Sequence, residues 1–462
     1  MSIKNIEQLR GNGDTASRAI ALEIVQRTLA KLSIEDMITH AIVCDGASVR
    51  IGALRWELGS GRRLFVVGAG KAANAMARAA EVRLGKYITK GLVIVKQLED
   101  DDTALKHIEL VVGGHPIPDE AGLRGTERIL ELVEGAKKGD LFIGLISGGS
   151  SALMPCPVRG ITLEDEVAVT RLLLYSGARI TEINAIRRHI SGTNGGRLAQ
   201  AVLARGAQMA NLIIHDVVGD LVEPDPIHPT QYSGTPVGAD PTTLRDACRV
   251  LDTHSLWGAA PRSVVDYLTH PTPEKETPKN LNSQDGIHNF VLQTPETAVL
   301  LAQAAARSIG VNCLVLTSML QGESREAGCF LGCVAAEIQA RHRPVAPPCV
   351  LVAGGETTTR IQGEPGLGGP SQELALGFAL EVAGRRPCSV VAIDTDGTDG
   401  PTAFAGGVAD SATVARARAS GIDIRACLRR HESSILLQAL GDTVITGNTG
   451  TNLCDLNVVS IV

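Results

Sequence analysis

Residues 63–84 read RLFVVGAGKAANAMARAAEVRL. A short apolar run at 63–67 ends in Gly68-Ala69-Gly70-Lys71, and an alanine-rich segment follows over 72–84. A strand that runs into glycines and then a helix opens a βαβ unit. The turn fits G-x-G-x-x-A, the dinucleotide fingerprint, whose glycines let backbone N–H groups approach a phosphate at a helix start. Two residues argue against a nicotinamide cofactor. Lys71 sits inside the turn, where a cation would meet a phosphate or carboxylate. The next run ends at Lys96, where an NAD site places an acid for the ribose. Glycines serving only a tight turn are the alternative reading of so short a motif.

The pattern recurs along the chain. Apolar runs at 91–95, 107–112, 141–146 and 209–214 end in Lys96, Gly113-Gly114-His115-Pro116, Ser147-Gly148-Gly149-Ser150-Ser151 and His215-Asp216. Helices are predicted over 15–40, 72–84 and 119–137. Residues 261–286, rich in Pro, Thr, Glu and Lys, read as a linker. A second alternating series follows, with strands at 313–317, 349–353, 389–393 and 458–462 and helices at 323–341, 371–382 and 411–420. Short β-branched runs alternating with helices predict parallel sheets buried on both faces. The expected fold is therefore α/β with two domains, each a mostly parallel sheet with helices on both faces. A Rossmann-like domain is expected over 1–260, the linker over 261–286 and a second α/β domain over 287–462. Ligands on such sheets bind at the carboxyl ends of the strands.

Composition narrows the class. A chain of 462 residues suggests two or three domains at ~100–200 residues each. With 44% hydrophobic and 20% charged residues, disorder is excluded as the main state. An aromatic share of 3% and a net charge of −6 argue against nucleic acid as a partner, whether by stacking or by phosphate contacts. No apolar stretch reaches the ~18 residues of a membrane span, and the first residues carry no apolar signal segment. Ten cysteines without a C-x-x-C pair predict reduced, mostly buried thiols in a cytoplasmic protein without a zinc site.

Several clusters carry chemistry. Ser147-Gly148-Gly149-Ser150-Ser151 offers hydroxyls, backbone N–H groups and a helix dipole to an anion. Asp394-Thr395-Asp396-Gly397-Thr398-Asp399-Gly400 places three carboxylates in six residues after a strand. That suits Mg²⁺, which takes one or two carboxylates plus substrate phosphates, with a solvated acidic turn as the alternative. Glu356 follows the glycine pair Gly354-Gly355 at another strand end. Asn184-Ala185-Ile186-Arg187-Arg188-His189 lies on a predicted helix, where Arg187 and Arg188 can take a carboxylate or phosphate bidentately. No Walker motif and no G-x-S-x-G elbow is present.

Taken in order, these motifs resemble one family. They are Gly68 to Ala73, Gly114-His115-Pro116-Ile117-Pro118-Asp119, Ser147 to Leu153, Asp216-Val217-Val218-Gly219-Asp220, Thr317-Ser318-Met319, Gly354-Gly355-Glu356-Thr357-Thr358, Gln372-Glu373-Leu374-Ala375-Leu376, Asp394 to Gly400 and Gly450-Thr451-Asn452. Over nearly its whole length the chain resembles glycerate 2-kinases of the class with a C-terminal MOFRL domain. The resemblance implies two α/β domains with the site in the cleft between them, and ATP- and Mg²⁺-dependent phosphorylation of D-glycerate on its 2-hydroxyl. It implies Lys71, Asp216 and Arg187 as catalytic residues. Gly68, Gly70, Ser147, Gly148, Gly149, Ser150, Ser151, Asn184 and Glu356 would bind substrate and phosphate, and Asp394, Asp396 and Asp399 the metal. The expected partner is a small hydroxy acid, and a homo-oligomer is compatible with the reading. Members often carry the label hydroxypyruvate reductase. An NAD(P)H-dependent reductase is therefore one alternative, and a ligand-binding relative without turnover is another.

The chain departs from the family pattern at several positions. Pro370 replaces an active-site arginine, Asn194 a lysine and His215 a serine, and the stretch around Tyr232-Ser233-Gly234-Thr235-Pro236 is rewritten. Two cations are thereby lost. This predicts a larger or less charged hydroxylated acceptor contacted by His228, Gln231 and Tyr232, unless Arg187, Arg197 or Arg360 supplies the charge instead.

Overall fold

The structure, a computed structural model, describes residues 1–58, 61–219, 222–230, 236–281, 286–361, 363–364 and 366–462. Asp220, Gln231 and the rewritten residues 232–235 lie outside the described residues. The chain forms two compact units. One comprises residues 34–215 and 222–292; the other comprises residues 1–33, 216–221 and 293–462.

The unit of residues 34–215 and 222–292 is built on a six-stranded sheet. Its strands in chain order are Leu64–Ala69, Ile88–Val95, Ile108–Val112, Leu141–Ile146, Gln208–Ile214 and Ile287–Gln293. Their spatial order is 3-2-1-4-5-6, the arrangement of Rossmann folds. The first strand pairs in parallel with the second and the fourth, the second with the third, and the fourth with the fifth. Every residue of Leu64–Ala69 and of Leu141–Ile146 is buried, as expected for central strands covered on both faces. Helices Ala73–Leu84, Glu120–Glu134 and Arg197–Ala204 cover the sheet. Phe65 and Phe142 stack at 4.9 Å in a core otherwise made of Leu, Ile, Val, Ala and two methionines, Met154 and Met209.

A second apolar cluster in this unit joins helices Leu163–Tyr175, Ile180–His189, Leu244–Thr253 and Arg262–Thr269. Val264 and Leu268, four residues apart on the last of these, are fully buried. The stretch 261–286 is therefore no linker over its first part: it carries a helix whose apolar face completes this cluster. A small antiparallel sheet of Ile42–Asp45, Ser48–Ile51 and Leu54–Glu57 was not predicted at all.

The other unit also has six strands, ordered Asn312–Leu320, Cys349–Gly355, Asp455–Ile461, Cys388–Asp394, Gly406–Asp410 and Thr443–Val444. Only the first two run parallel; every other neighbouring pair is antiparallel. The expectation of a mostly parallel second sheet is corrected here. Helices Ser324–Arg341 and Pro370–Val382 pack together against the sheet, and Thr15–Lys31 packs on it beside Pro295–Ser308. The helix expected over 15–40 is two helices, Thr15–Lys31 and Ile34–Ala41, and the break between them is where the two units divide. The domain boundaries expected at 260 and 287 accordingly differ from the compact units: residues 1–33 pack with the C-terminal half. All ten cysteines are free thiols, with Cys333 exposed.

Candidate functional site

In a 3-2-1-4-5-6 sheet the strand order reverses between strands 1 and 4, and ligands bind at the carboxyl ends flanking that point. The turns after these two strands are 68–73 and 147–151. They are tied directly together. The Lys71 N–H donates to the Gly148 carbonyl at 2.8 Å, and the Ala72 N–H donates to Ser147 Oγ at 3.1 Å. Gly68 is required by close approach, because a Cβ there would lie 2.0 Å from the Leu145 carbonyl oxygen. Ser147 is buried, and its hydroxyl joins the two turns as acceptor of the Ala72 N–H. Gly149 adopts φ of 83°, left-handed, and opens a single turn of helix, Ser150–Leu153. That turn is too short for the helix-dipole contribution expected of it.

His115, at the end of the third strand, lies against the same place. A Cβ on Gly149 would stand 2.9 Å from its ring and 3.4 Å from Lys71 Cγ. Burial, and after it the charges of Lys71, Lys96 and Arg187, hold the His115 ring down at about 4. The imidazole is neutral at physiological pH. Three cations from three elements thus act on one point: the turn after strand 1, the end of strand 2, and helix Ile180–His189. An anion bound there is favoured by all three charges.

Arg187 stands in the last turn of helix Ile180–His189. Its Nε and Nη2 atoms are buried without a hydrogen-bond partner. These two nitrogens form one edge of the guanidinium, the edge that grips a carboxylate or phosphate with two parallel bonds. Asn184, half-buried, lies one turn earlier on the same face. Burial holds the Arg187 charge below its usual range, with Glu166 opposing. Asn194, in place of the family lysine, is buried with both ends of its carboxamide unpartnered. Arg197 is spent on backbone: Nη1 donates to the Ser191 carbonyl and Nη2 to the Lys275 carbonyl at 2.6 Å. Of the two arginines in this unit named as replacements for the lost cations, Arg187 is the one left with open donors. His228 is exposed and held by Asp225 at 3.1 Å.

The remaining candidates belong to the other unit. Asp216 Oδ2 accepts from Asn452 Nδ2 at 2.7 Å, and the Cys454 thiol donates to the Asp216 carbonyl at 3.0 Å. Burial, and then Glu356, Asp216, Asp394 and Asp455, push that thiol far up, so it stays protonated and inert. Asp399 is not placed as a metal ligand. Its Oδ1 accepts the Ser371 N–H and its Oδ2 the Gln372 N–H, both at 2.9 Å, and Gln372 Nε2 adds a bond at 3.0 Å. It caps helix Pro370–Val382, whose first residue is the proline that replaces the family arginine. Burial raises Asp399 to about 6 despite these bonds. Asp396 Oδ1 accepts from the Thr398 N–H at 2.7 Å and hydroxyl at 2.8 Å, and Asp394 Oδ1 accepts the Asp396 N–H at 3.0 Å. Glu356 is exposed at its strand end. Among the described residues no group of three or more His, Cys, Asp or Glu is gathered to hold a metal.

Sequence reading gives no role to three residues at these places. His115 stands within a strand-end motif, as Lys71 and Ser147 do, but is assigned nothing. Asp455, which accepts the Thr357 N–H at 3.0 Å, is the first residue of an all-buried strand and gives no signal. Glu166 lies among the ordinary acids of a helix start.

Comparison with known proteins agrees with this geometry. Residues 20–269 match the family model of a domain of unknown function, DUF4147, and residues 349–455 match the MOFRL family. The glycerate 2-kinase of Pyrococcus horikoshii is 36% identical, over 96% of this chain and 97% of its own. The chain belongs to the glycerate 2-kinase family. The crystal structure of a Thermotoga maritima glycerate kinase superposes with a TM-score of 0.77 at 34% identity, covering 96% of this chain and 99% of that one. A relative from Agrobacterium vitis, 36% identical over 86% of this chain and 87% of its own, bears the name hydroxypyruvate reductase. This is the label the resemblance led one to expect. No helix among the described residues is long and apolar enough to cross a membrane.

Proposed function

We propose that this kinase transfers the γ-phosphoryl group of ATP to the 2-hydroxyl of D-glycerate. The supporting observation is the convergence of Lys71, Lys96 and Arg187 on His115 at the reversal point of the Rossmann-type sheet. In the reaction the hydroxyl oxygen bonds to the γ-phosphorus, and the bond from that phosphorus to the β–γ bridging oxygen breaks. ADP leaves, and the hydroxyl proton passes to a carboxylate. Such transfers depend on positioning and charge stabilisation. Lys71 supplies charge to the phosphoryl oxygens, and Arg187 grips the acceptor carboxylate with its open edge. Asp216, oriented by Asn452, is the proposed proton acceptor.

Mg²⁺ fits the donor set in a limited form. Asp394 and Asp396 are half-buried hard oxygen donors, and two carboxylates are as many as such an ion takes when phosphates complete its shell. The ion would neutralise the charge on the β- and γ-phosphates. Asp396→Asn is expected to raise the Mg²⁺ concentration needed for half-maximal rate, whereas Asp399→Asn lowers stability and leaves that concentration unchanged. Titrating Mg²⁺ against turnover in both variants, beside their melting curves, checks this.

ADP release with D-glycerate as acceptor tests the function. Enolase added without a mutase separates the products, because 2-phosphoglycerate is dehydrated and 3-phosphoglycerate is not. Four-carbon sugar acids run in parallel test the larger acceptor suggested by Pro370 and Asn194. NADPH oxidation by hydroxypyruvate without ADP release from any acid would replace the kinase reading by the reductase one. Arg187→Ala is expected to raise KM for glycerate about 10–100-fold with a smaller change in kcat, since a charge-assisted pair is worth about 1.5–3 kcal/mol.

A further inference from the structure

Glu166 belongs to the first turn of helix Leu163–Tyr175, which packs against helix Ile180–His189, the element that carries Arg187. It is 1% exposed, and its Oε2 has no hydrogen-bond partner. A buried carboxyl with an unmatched oxygen on one helix, and a guanidinium with two buried, unmatched nitrogens on the helix packed against it, are polar groups that folding alone leaves unsatisfied. We propose that Glu166 is a positioning residue for Arg187, and that its proton decides how tightly the acceptor's carboxylate is held. This rests on the reading of Arg187 as the carboxylate receptor.

Ionised, Glu166 competes with the incoming carboxylate for the one guanidinium. Protonated, it leaves Arg187 its full charge for the ligand and repels nothing. Burial raises Glu166 to about 7, with Arg187 pulling the other way. An anion docked on Arg187 pushes that value higher still, so binding takes up a proton at and above neutrality. Affinity must then fall as pH rises through that range, by at most about tenfold per pH unit for one proton. Charges linked to the pair include His115, on which Lys71 and Lys96 also act, and Cys156, on which Glu127 and Arg197 also act; the helix of Arg187 further carries Arg188, His189 and Glu182, which face Asp240, Glu276 and His254. The His115 ring titrates at about 4 and the Cys156 thiol, raised by burial, at about 11. Neither changes charge between pH 6 and 8.

Calorimetric binding of D-glycerate to the whole enzyme, without nucleotide, tests the proposal between pH 6 and 8. The wild type is expected to weaken several-fold across that range and to take up a proton, seen as a dependence of the heat on buffer ionisation. Glu166→Gln, neutral and of the same shape, is expected to bind as the wild type does at pH 6 and to lose both signals. Equal pH dependence in the two proteins overturns the proposal. So does a wild type whose affinity is flat. Arg187→Ala separates this outcome from failure of the underlying reading: if it binds glycerate as well as the wild type, Arg187 is not the receptor and both fall. Should Glu166→Gln fail to fold, proton uptake by the wild type in two buffers decides alone.

Discussion

Lys71→Ala is expected to fold normally and to lose about 10²–10³-fold in kcat, the cost of removing one preorganised charge from a developing transition state. The backbone of the turn does not depend on the side chain. Its N–H bond to Gly148 survives the change, as does the Ser147 hydroxyl bond to Ala72. The glycines that let strand and turn pack closely are untouched. The ammonium instead belongs to the set of cations that depress His115, where it ranks second after burial. This gives a readout independent of turnover. In Lys71→Ala the His115 ring must titrate above about 4, toward an ordinary histidine, because one of its repelling charges is gone. Imidazole shifts followed by NMR through pH 3–7 check that. A variant that keeps full kcat refutes the assignment of Lys71. A dead variant whose His115 is unmoved shows that Lys71 acts away from the three-cation centre.

The same centre shows how far sequence alone reaches. Strand ends of the first sheet were legible because each is marked by Gly, Ser or a charge after a run buried on both faces, as at Gly68 and Ser147. Strand direction in the second sheet was not. Asp455–Ile461 and Cys388–Asp394 are buried almost throughout, so antiparallel strands there show none of the alternation that separates them from parallel ones. The break at Leu32 was hidden because that leucine continues the apolar spacing of the helix before it and is itself fully buried. The strands Ile42–Asp45, Ser48–Ile51 and Leu54–Glu57 are four residues each, too brief for a period to register. In the site, the backbone turns were legible and the electrostatics were not. Asp399 looked like a ligand by its spacing, yet two backbone N–H groups of a helix start claim its oxygens. Nothing in the sequence marks Glu166, yet packing of two helices buries it. Tertiary packing decides which carboxylates are available, and residue spacing does not record it.

Arg18 carries the largest expected effect on stability. It lies on helix Thr15–Lys31 and is fully buried, the largest such side chain among the described residues. Nε pairs with Asp410 at the end of strand Gly406–Asp410. Nη1 and Nη2 grip Asp442 at 2.7 and 3.0 Å. Both carboxylates are fully buried. Arg416 also bonds Asp442, at 2.6 Å, so Asp442 keeps one cation without Arg18. Asp410 keeps only neutral donors: the Asp14 and Ala412 N–H groups and the Thr413 hydroxyl. Breaking a buried pair on one side costs about 3–5 kcal/mol, because the remaining charge is stranded. Arg18→Leu is therefore expected to lower the unfolding free energy by that amount, read from the shift of the denaturant midpoint at unchanged slope. Protection from amide exchange should fall first in Thr15–Lys31 and Gly406–Asp410. The pH dependence distinguishes a stranded charge from a packing defect. Burial alone would raise Asp410, but Arg18 holds it below the ordinary range. This contribution is present above the unfolded value of about 3.9 and is lost as pH falls through the lower folded one. In Arg18→Leu the folded value rises instead, so Asp410 protonates as pH falls and its penalty disappears. The difference between wild type and variant must shrink from pH 7 toward pH 4. Adding Asp410→Asn to Arg18→Leu must recover part of the loss at pH 7 and little at pH 4. A deficit that is constant with pH would assign the role of Arg18 to packing volume and not to charge.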